Sequence, residues 1–261
     1  LELPDAVLIR PTITLIIDGV KSEIILTSAV WCSNNNLEKI TARQAYDEAY
    51  ENIENVIVEM KKQLGFIETP ILRTKKTPKP KSNVTKDYYI KVIKQAKKYI
   101  FDGEIFQVVP SQRWSVPFHL PPFSLYRALR RTNPSPYMFY FNFGDYQIVG
   151  ASPEILVRVK DKKVTIRPIA GTRPRGGTQE EDKVLEDDLL SDNKELAEHL
   201  MLLDLGRNDV SKVCKTGTVK PTESFVIEKY SHVMHIVSNV EGELEDDQDP
   251  LSALLSGLPA G

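Results

Sequence analysis

Two β-rich apolar runs open the chain, "TITLIID" at 12–18 and "SEIILTSAVW" at 22–31. The polar "GVK" between them predicts a hairpin turn, with Gly19 available for a positive φ. The period then changes to that of an amphipathic helix over 41–65. Thr41 and Gln44 stand in capping-box spacing at its start, and Lys61, Lys62 and Gly65 mark its end. A second helix is predicted over 86–101, where Ile90, Ile93, Ala96 and Ile100 share one face and Gly103 supplies a stop. Strand patterns follow at 104–116, 136–143, 146–152, 154–160 and 163–171, interrupted by a helix near "FSLYRALRR". Helices at about 179–190 and 194–205 precede two more strands, "SFVIEKY" and "HVMHIVSNVEGEL".

Blocks of strands alternating with blocks of helices predict an α+β fold with large, mainly antiparallel sheets and flanking helices. Three prolines and five Lys/Arg within 68–84 read as a solvated connection. The expected organisation is an N-terminal region over 1–66, a linker over 67–84 and a larger domain over 85–261. The opening lacks a basic leader or an initiator Met, and "SALLSGLPAG" begins an apolar element and stops in a turn. Both features predict a segment of something longer.

The 261 residues carry 34 Lys+Arg against 36 Asp+Glu, a formal net charge of -2. No global field draws the chain to nucleic acid or an anionic membrane, so any anion site must be local. No window approaches the roughly 18 apolar residues of a membrane span. Cys32 and Cys214 are far apart and outside any CxxC spacing, which suits a reducing, cytoplasmic setting.

Three stretches could carry chemistry. "RPIAGTRPRGG" at 167–177 holds three glycines and three arginines without GK[ST] or GxGxxG spacing. Its N–H groups and positive charges suit a carboxylate or another small anion; a surface turn whose arginines pair with nearby acids fits equally. In "SDNKELAEHLMLLDLGRND", Glu195 and Glu198 share a helix face with few cations between them. That is a hard-metal pattern suited to Mg2+ completed by water and substrate oxygens. Asp192 and Glu195 also have capping-box spacing, so Glu195 could be a cap. In "YSHVMHIVSNV", His232 and His235 point to opposite faces of a strand and cannot share a metal. Glu154 of "GASPE" follows a strand beside Pro153.

Together, "GEIFQVVPSQRW", "NPSPYMFYF", "VGASPE", "PIAGTRPRG", "ELAEHLMLLDLGRNDV" and "YSHVMHIVSNVEGEL" resemble the chorismate-utilising enzymes, most closely those of the anthranilate synthase component I type. The resemblance implies an α/β sandwich that turns chorismate and ammonia into anthranilate and pyruvate with Mg2+. Ammonia would come from glutamine through a partner amidotransferase subunit. Glu198 would be a direct Mg2+ ligand and Glu195 a carboxylate at the metal or its water. Glu154 would be the acid near the departing hydroxyl and His235 the histidine of pyruvate elimination, with Gly171 and Thr172 lining the pocket.

The same resemblance places Gln107 where water-adding relatives carry a lysine base, which favours ammonia as the nucleophile. Ala170 stands where aminodeoxychorismate synthases commonly carry lysine, which weighs against that alternative activity. Pro136, Tyr137 and Met138 resemble a tryptophan feedback pocket. A non-catalytic module binding chorismate or tryptophan is the other alternative. The family's catalytic domain continues past "LPAG" with further site residues, so negligible activity is expected of this chain alone.

Overall fold

The computed structural model describes residues 3–31, 40–63 and 78–258. The chain divides into two compact units, Leu1–Thr74 and Lys75–Gly261. In the first, β1 (Ile13–Asp18) pairs antiparallel with β2 (Glu23–Ser28), with Ile13 opposite Ser28. The Asp18 carboxylate accepts the Val20 and Lys21 N–H groups and tightens the turn. The left-handed residue is Ser22, at φ 56°, and not Gly19, because the turn extends past "GVK" to the foot of β2. Helix α1 (Ala42–Lys61) starts on the expected capping box, Thr41 and Gln44 satisfying each other's backbone N–H groups. Gly65 lies outside the described residues, as does the greater part of the expected linker.

In the second unit, β3 (Lys81–Ser82) pairs with β4 (Trp114–Ser115), so the end of the expected linker is already a strand. Of the strand predicted over 104–116, only β4 forms. Helix α2 (Lys86–Phe101) is capped by the Thr85 hydroxyl and is followed by Gly103 at φ 75°. Helix α3 (Pro122–Thr132) leads into a ribbon of β5 (Tyr137–Asn142) and β6 (Gln147–Ser152).

A five-stranded sheet contains β7 (Arg158–Lys160), β8 (Lys163–Ile166), β9 (Ile169–Pro174), β10 (Lys220–Lys229) and β11 (Val233–Glu243). Every strand pair among the described residues is antiparallel, and the α+β class holds. The sheet is not a simple meander. The run 163–171 breaks at Pro168, which has no N–H to give a ladder. Its carbonyl accepts the Ser238 N–H, and β8 and β9 then lie one after the other along β11.

Helices α4 (Gln179–Ser191), α5 (Asn193–Ser211) and α6 (Pro250–Ser256) complete the unit. Helix α5 continues past the predicted Leu205 because Val210, buried, belongs to the core with Leu203, Val164, Val240 and Ala253. A second cluster of Leu189, Met234 and Ile236 fastens α4 to the start of β11. Each such aliphatic side chain stabilises the fold by about 1.5–3 kcal/mol on burial. These contacts hold α5 beside β9 and β11, where the candidate side chains gather.

Candidate active site

The register of β9 on β11 sets Thr172 opposite His235 and Ala170 opposite Ile236, leaving Gly171 as an extra residue in a β-bulge. Gly171 takes φ +72°, a conformation that L side chains rarely adopt. The bulge brings the Gly171 carbonyl oxygen within 2.9 Å of His235 Nδ1, and Thr172 Oγ1 within 3.1 Å of the same nitrogen. A carbonyl can only accept, so Nδ1 carries the proton and Nε2 is left as the free ring nitrogen. His232 lies before β11 and is exposed; its carbonyl takes the Arg175 N–H.

Tyr230 meets the His235 ring edge-on, with centroids 5.5 Å apart. Its hydroxyl donates to Glu228 at 2.8 Å, and Glu228 in turn pairs with Arg167. Burial, with the Glu228 hydrogen bond behind it, pushes the Tyr230 hydroxyl up to about 12. The backbone of Ile169 at the start of β9 acts to lower the Glu154 carboxyl, yet burial dominates and raises it above the usual range. It lines a cleft of about 300 Å³ with Leu156, Pro168, Leu202 and Asp209.

Helix α5 brings the carboxylates. Asp192 is its N-cap, accepting the Lys194 and Glu195 N–H groups. Glu195 does not return the favour, since the Asp192 N–H goes to Leu189 O; the capping box is half formed and the Glu195 carboxylate is free of it. A Cβ built on Gly171 would lie 3.4 Å from Glu195 Oε2, so this carboxylate stands against the bulge beside Thr172 and His235. One turn on, Glu198 lines a second cavity with Gln107, Lys194, Ala197, Met201 and Asp204.

The expectation of few cations near these carboxylates needs correcting. Lys194 Nζ lies 3.2 Å from Glu195 Oε1, reaching its own neighbour at the solvated helix start. Among the described residues no three His, Cys, Asp or Glu side chains converge as a metal cage. Two carboxylates are nonetheless a hard-oxygen pair of the kind that suits Mg2+, which keeps several waters and is held by one or two carboxylates with substrate oxygens. Glu195 and Glu198 would hold it.

The Gly/Arg loop does bind anions, and they are its own chain's. Gly176 N–H donates to Asp182 and Gly177 N–H to Glu181, both in the first turn of α4. Arg175 pairs with Asp182, and this pair holds the buried Asp182 carboxyl down at about 2. Arg173 pairs with both Asp188 and Asp192. Arg173 and Arg175 therefore fasten helices, while Arg167 pairs with Glu228 on β10.

Buried His199, next to Glu198, places Nε2 2.6 Å from Ser238 Oγ and rests edge-on against Phe225. Phe225 sits at φ 54° beside a β10 bulge and donates its N–H to the same Ser238 oxygen. Pro136, Tyr137 and Met138 lie at the start of the β5–β6 ribbon, a different sheet from that of Thr172 and His235. The structure thus gathers Gly171, Thr172, His235 and Glu195, and sets Gln107 with Glu198. Tyr230, Lys194 and Arg173 went unassigned in the sequence; only their positions inside the quoted motifs could have marked them.

A site of strand-borne Thr and His facing helix-borne carboxylates defines a class. The chain belongs to the chorismate binding enzymes, whose family model matches residues 1–261. It is 57% identical over 265 residues to anthranilate synthase component 1 of Cereibacter sphaeroides, covering 100% of this chain and 51% of that protein. The component 1 of Pseudomonas putida is 59% identical over 184 residues, covering 70% of this chain and 37% of that protein. The crystal structure of anthranilate synthase component I from Streptococcus pneumoniae TIGR4 matches with a TM-score of 0.79 and 36% identity, over 95% of this chain and 52% of that one. The chain spans about half the length of the curated relatives it matches.

Proposed function

We propose that this chain is part of an anthranilate synthase component I, an enzyme in which chorismate and ammonia become anthranilate, pyruvate and water, and that it has negligible activity alone. The observation that carries the reading is the convergence of Gly171, Thr172 and His235 on the sheet with Glu195 on α5. Mg2+, held by Glu195 and Glu198, would supply positive charge for a substrate carboxylate. His235, with Nδ1–H given to Gly171 O, offers Nε2 for proton transfer as pyruvate leaves. Glu154, its carboxyl raised by burial, is suited to protonate the departing hydroxyl, because hydroxide leaves poorly unless protonated.

Gln107, facing the Glu198 cavity, is an amide where water-adding relatives carry a lysine base, which favours ammonia as the nucleophile. Its source is a glutamine amidotransferase partner, in the cytoplasm. Pro136, Tyr137 and Met138 form part of a tryptophan feedback surface. Ala170, buried, offers no amine, which separates this reading from aminodeoxychorismate synthesis.

The test is a chimera in which this chain replaces the matching half of the Cereibacter sphaeroides component 1, supplied with ammonia, Mg2+ and chorismate. Fluorescent anthranilate is the expected product. Formation of 4-amino-4-deoxychorismate instead, or no product from a folded chimera, overturns the reading.

A further inference from the structure

Arg173 joins the two halves of this site without facing it. Its Nη1 donates to the Thr172 carbonyl at 3.1 Å, on the strand that presents Thr172 to His235. Its Nε donates to Asp188 at 2.6 Å, near the end of α4, and its Nη2 to Asp192 at 2.9 Å. Asp192 uses its other oxygen, Oδ1, to cap α5 through the Lys194 and Glu195 N–H groups. One planar guanidinium therefore touches the β9 backbone, the α4 end and the α5 cap, a geometry that a lysine ammonium cannot reproduce. The Arg173 side chain is 21% exposed and Asp192 32%, so both are partly withdrawn from water and their pairing is less screened than a surface ion pair.

We propose that Arg173 is a positioning residue that fixes the Glu195 carboxylate against the Gly171–Thr172 bulge by clamping the first turn of α5 to β9. The functional half of this statement rests on the reading of Glu195 and Glu198 as Mg2+ carboxylates; the structural half does not. Breaking one arm has graded consequences. Asp188→Asn removes the charge from the α4 arm and leaves the α5 cap gripped. Arg173→Lys can keep one arm, and Arg173→Gln loses the charged clamp altogether. The direct electrostatic effect of Arg173→Gln runs the other way, because deleting a positive charge near carboxylates favours cation binding.

The experiment measures two things on the same variants of the chain, with thermal melting to establish that each is folded. The first is amide hydrogen exchange without ligand. Arg173→Gln should speed exchange about tenfold in the α5 first turn and around Thr172 together, with Asp188→Asn and Arg173→Lys in between. The second is calorimetric titration of the same variants, built into the chimera described above, with Mg2+ in the presence of chorismate, where Arg173→Gln should weaken binding about 10–100-fold and Arg173→Lys recover part of it. Unchanged exchange at both segments in folded Arg173→Gln overturns the clamp. Faster exchange with unchanged or tighter Mg2+ binding reduces Arg173 to a scaffold residue and overturns its positioning role. If the chimera with unaltered residues binds no Mg2+, the metal reading fails, while the exchange data still decide the clamp.

Discussion

His235 rests its Nδ1 atom 2.9 Å from the carbonyl oxygen of Gly171. The shorter contact is with the backbone of a bulge, and Thr172 Oγ1 stands 3.1 Å from the same nitrogen, so both partners that orient the imidazole come from two adjacent residues of β9. Glycine is needed there twice over, for φ +72° and for the close approach of neighbouring side chains.

Gly171→Ala should therefore disturb both stability and the histidine. The left-handed backbone costs an L residue about 1–2 kcal/mol. The added methyl would also sit 3.2 Å from both Ile236 Cδ1 and Leu189 Cδ1, two side chains of a buried cluster. A total loss of about 2 kcal/mol is expected by denaturant unfolding. Nitrogen chemical shifts of His235 should move away from a pure Nδ1–H form; a variant with unaltered stability and tautomer would remove the bulge from the account.

His199 predicts a pH effect. Burial lowers its pKa from the ordinary 6.5, so the folded protein holds fewer protons than the unfolded chain once pH falls below that value. Its stabilising contribution is complete above about pH 6.5 and is lost as pH falls toward the folded pKa. Urea unfolding from pH 8 to pH 5 should show the unaltered chain losing its advantage over His199→Gln across that interval. Parallel stability curves for the two proteins would contradict it.

The local signals that spoke plainly in the sequence are those whose partners are a few residues away. Thr41 and Gln44, and Gly103, set their helix boundaries because a cap or a left-handed stop is decided within one turn. The Gly171–Thr172–His235 bulge needed the register of two strands 64 residues apart, which no local pattern encodes. The arginines misled for a related reason. Their partners Asp182, Asp188 and Asp192 stand on helices downstream, and only the packing of those helices on β9 shows that the loop's anions are internal. Glu195 reads as cap or site because its spacing from Asp192 serves both, and the half-formed capping box shows only that its carboxylate is not spent on the Asp192 N–H.

Acid should act on Asp182. Its folded pKa is lowered from 3.8 to about 2, first by the Arg175 hydrogen bond and then by the Gly176 N–H. Stability from this depressed carboxyl is present above the unfolded pKa and disappears as pH falls through about 2. Asp182→Asn should be less stable than the unaltered chain at pH 7, with the two converging between about pH 4 and pH 2. A constant gap across that window would show that Arg175 contributes through packing alone.

Cys214 offers a probe of the larger core. It is buried, and burial pushes its thiol up to about 11, so alkylating reagents should meet almost no Cys214 thiolate in the folded protein. A Cβ on Gly242 would lie 2.8 Å from Cys214 Sγ and 2.8 Å from Val210 Cγ1. Gly242→Ala should cost about 1–3 kcal/mol by overpacking and raise the labelling rate of Cys214 in step. Fast labelling of Cys214 itself at neutral pH, read by peptide mapping that separates it from Cys32, would place the thiol outside the core.

Lys194 and Glu198 should affect Mg2+ in opposite directions. Lys194 already occupies one oxygen of Glu195, and its own pKa is raised chiefly by that hydrogen bond, with charge from Glu195 and Glu198 adding to it. A metal ion taking Glu195 must displace this ammonium, so Lys194→Met should tighten Mg2+ binding several-fold. Glu198→Gln keeps the shape of the cavity that Glu198 shares with Gln107 and Asp204 but removes one of two hard anionic donors, and binding should weaken by about 10–100-fold. The pair of variants separates ligation from general electrostatics. Each raises or lowers the local charge by one unit, and if charge alone mattered the two changes would be equal in size. Calorimetry at two salt concentrations decides the point. A ligand's loss persists at high salt, whereas a mere change in field is screened at a Debye length of about 3 Å in 1 M salt. If both effects fade together, Glu198 is only a neighbouring charge and the metal must be held elsewhere.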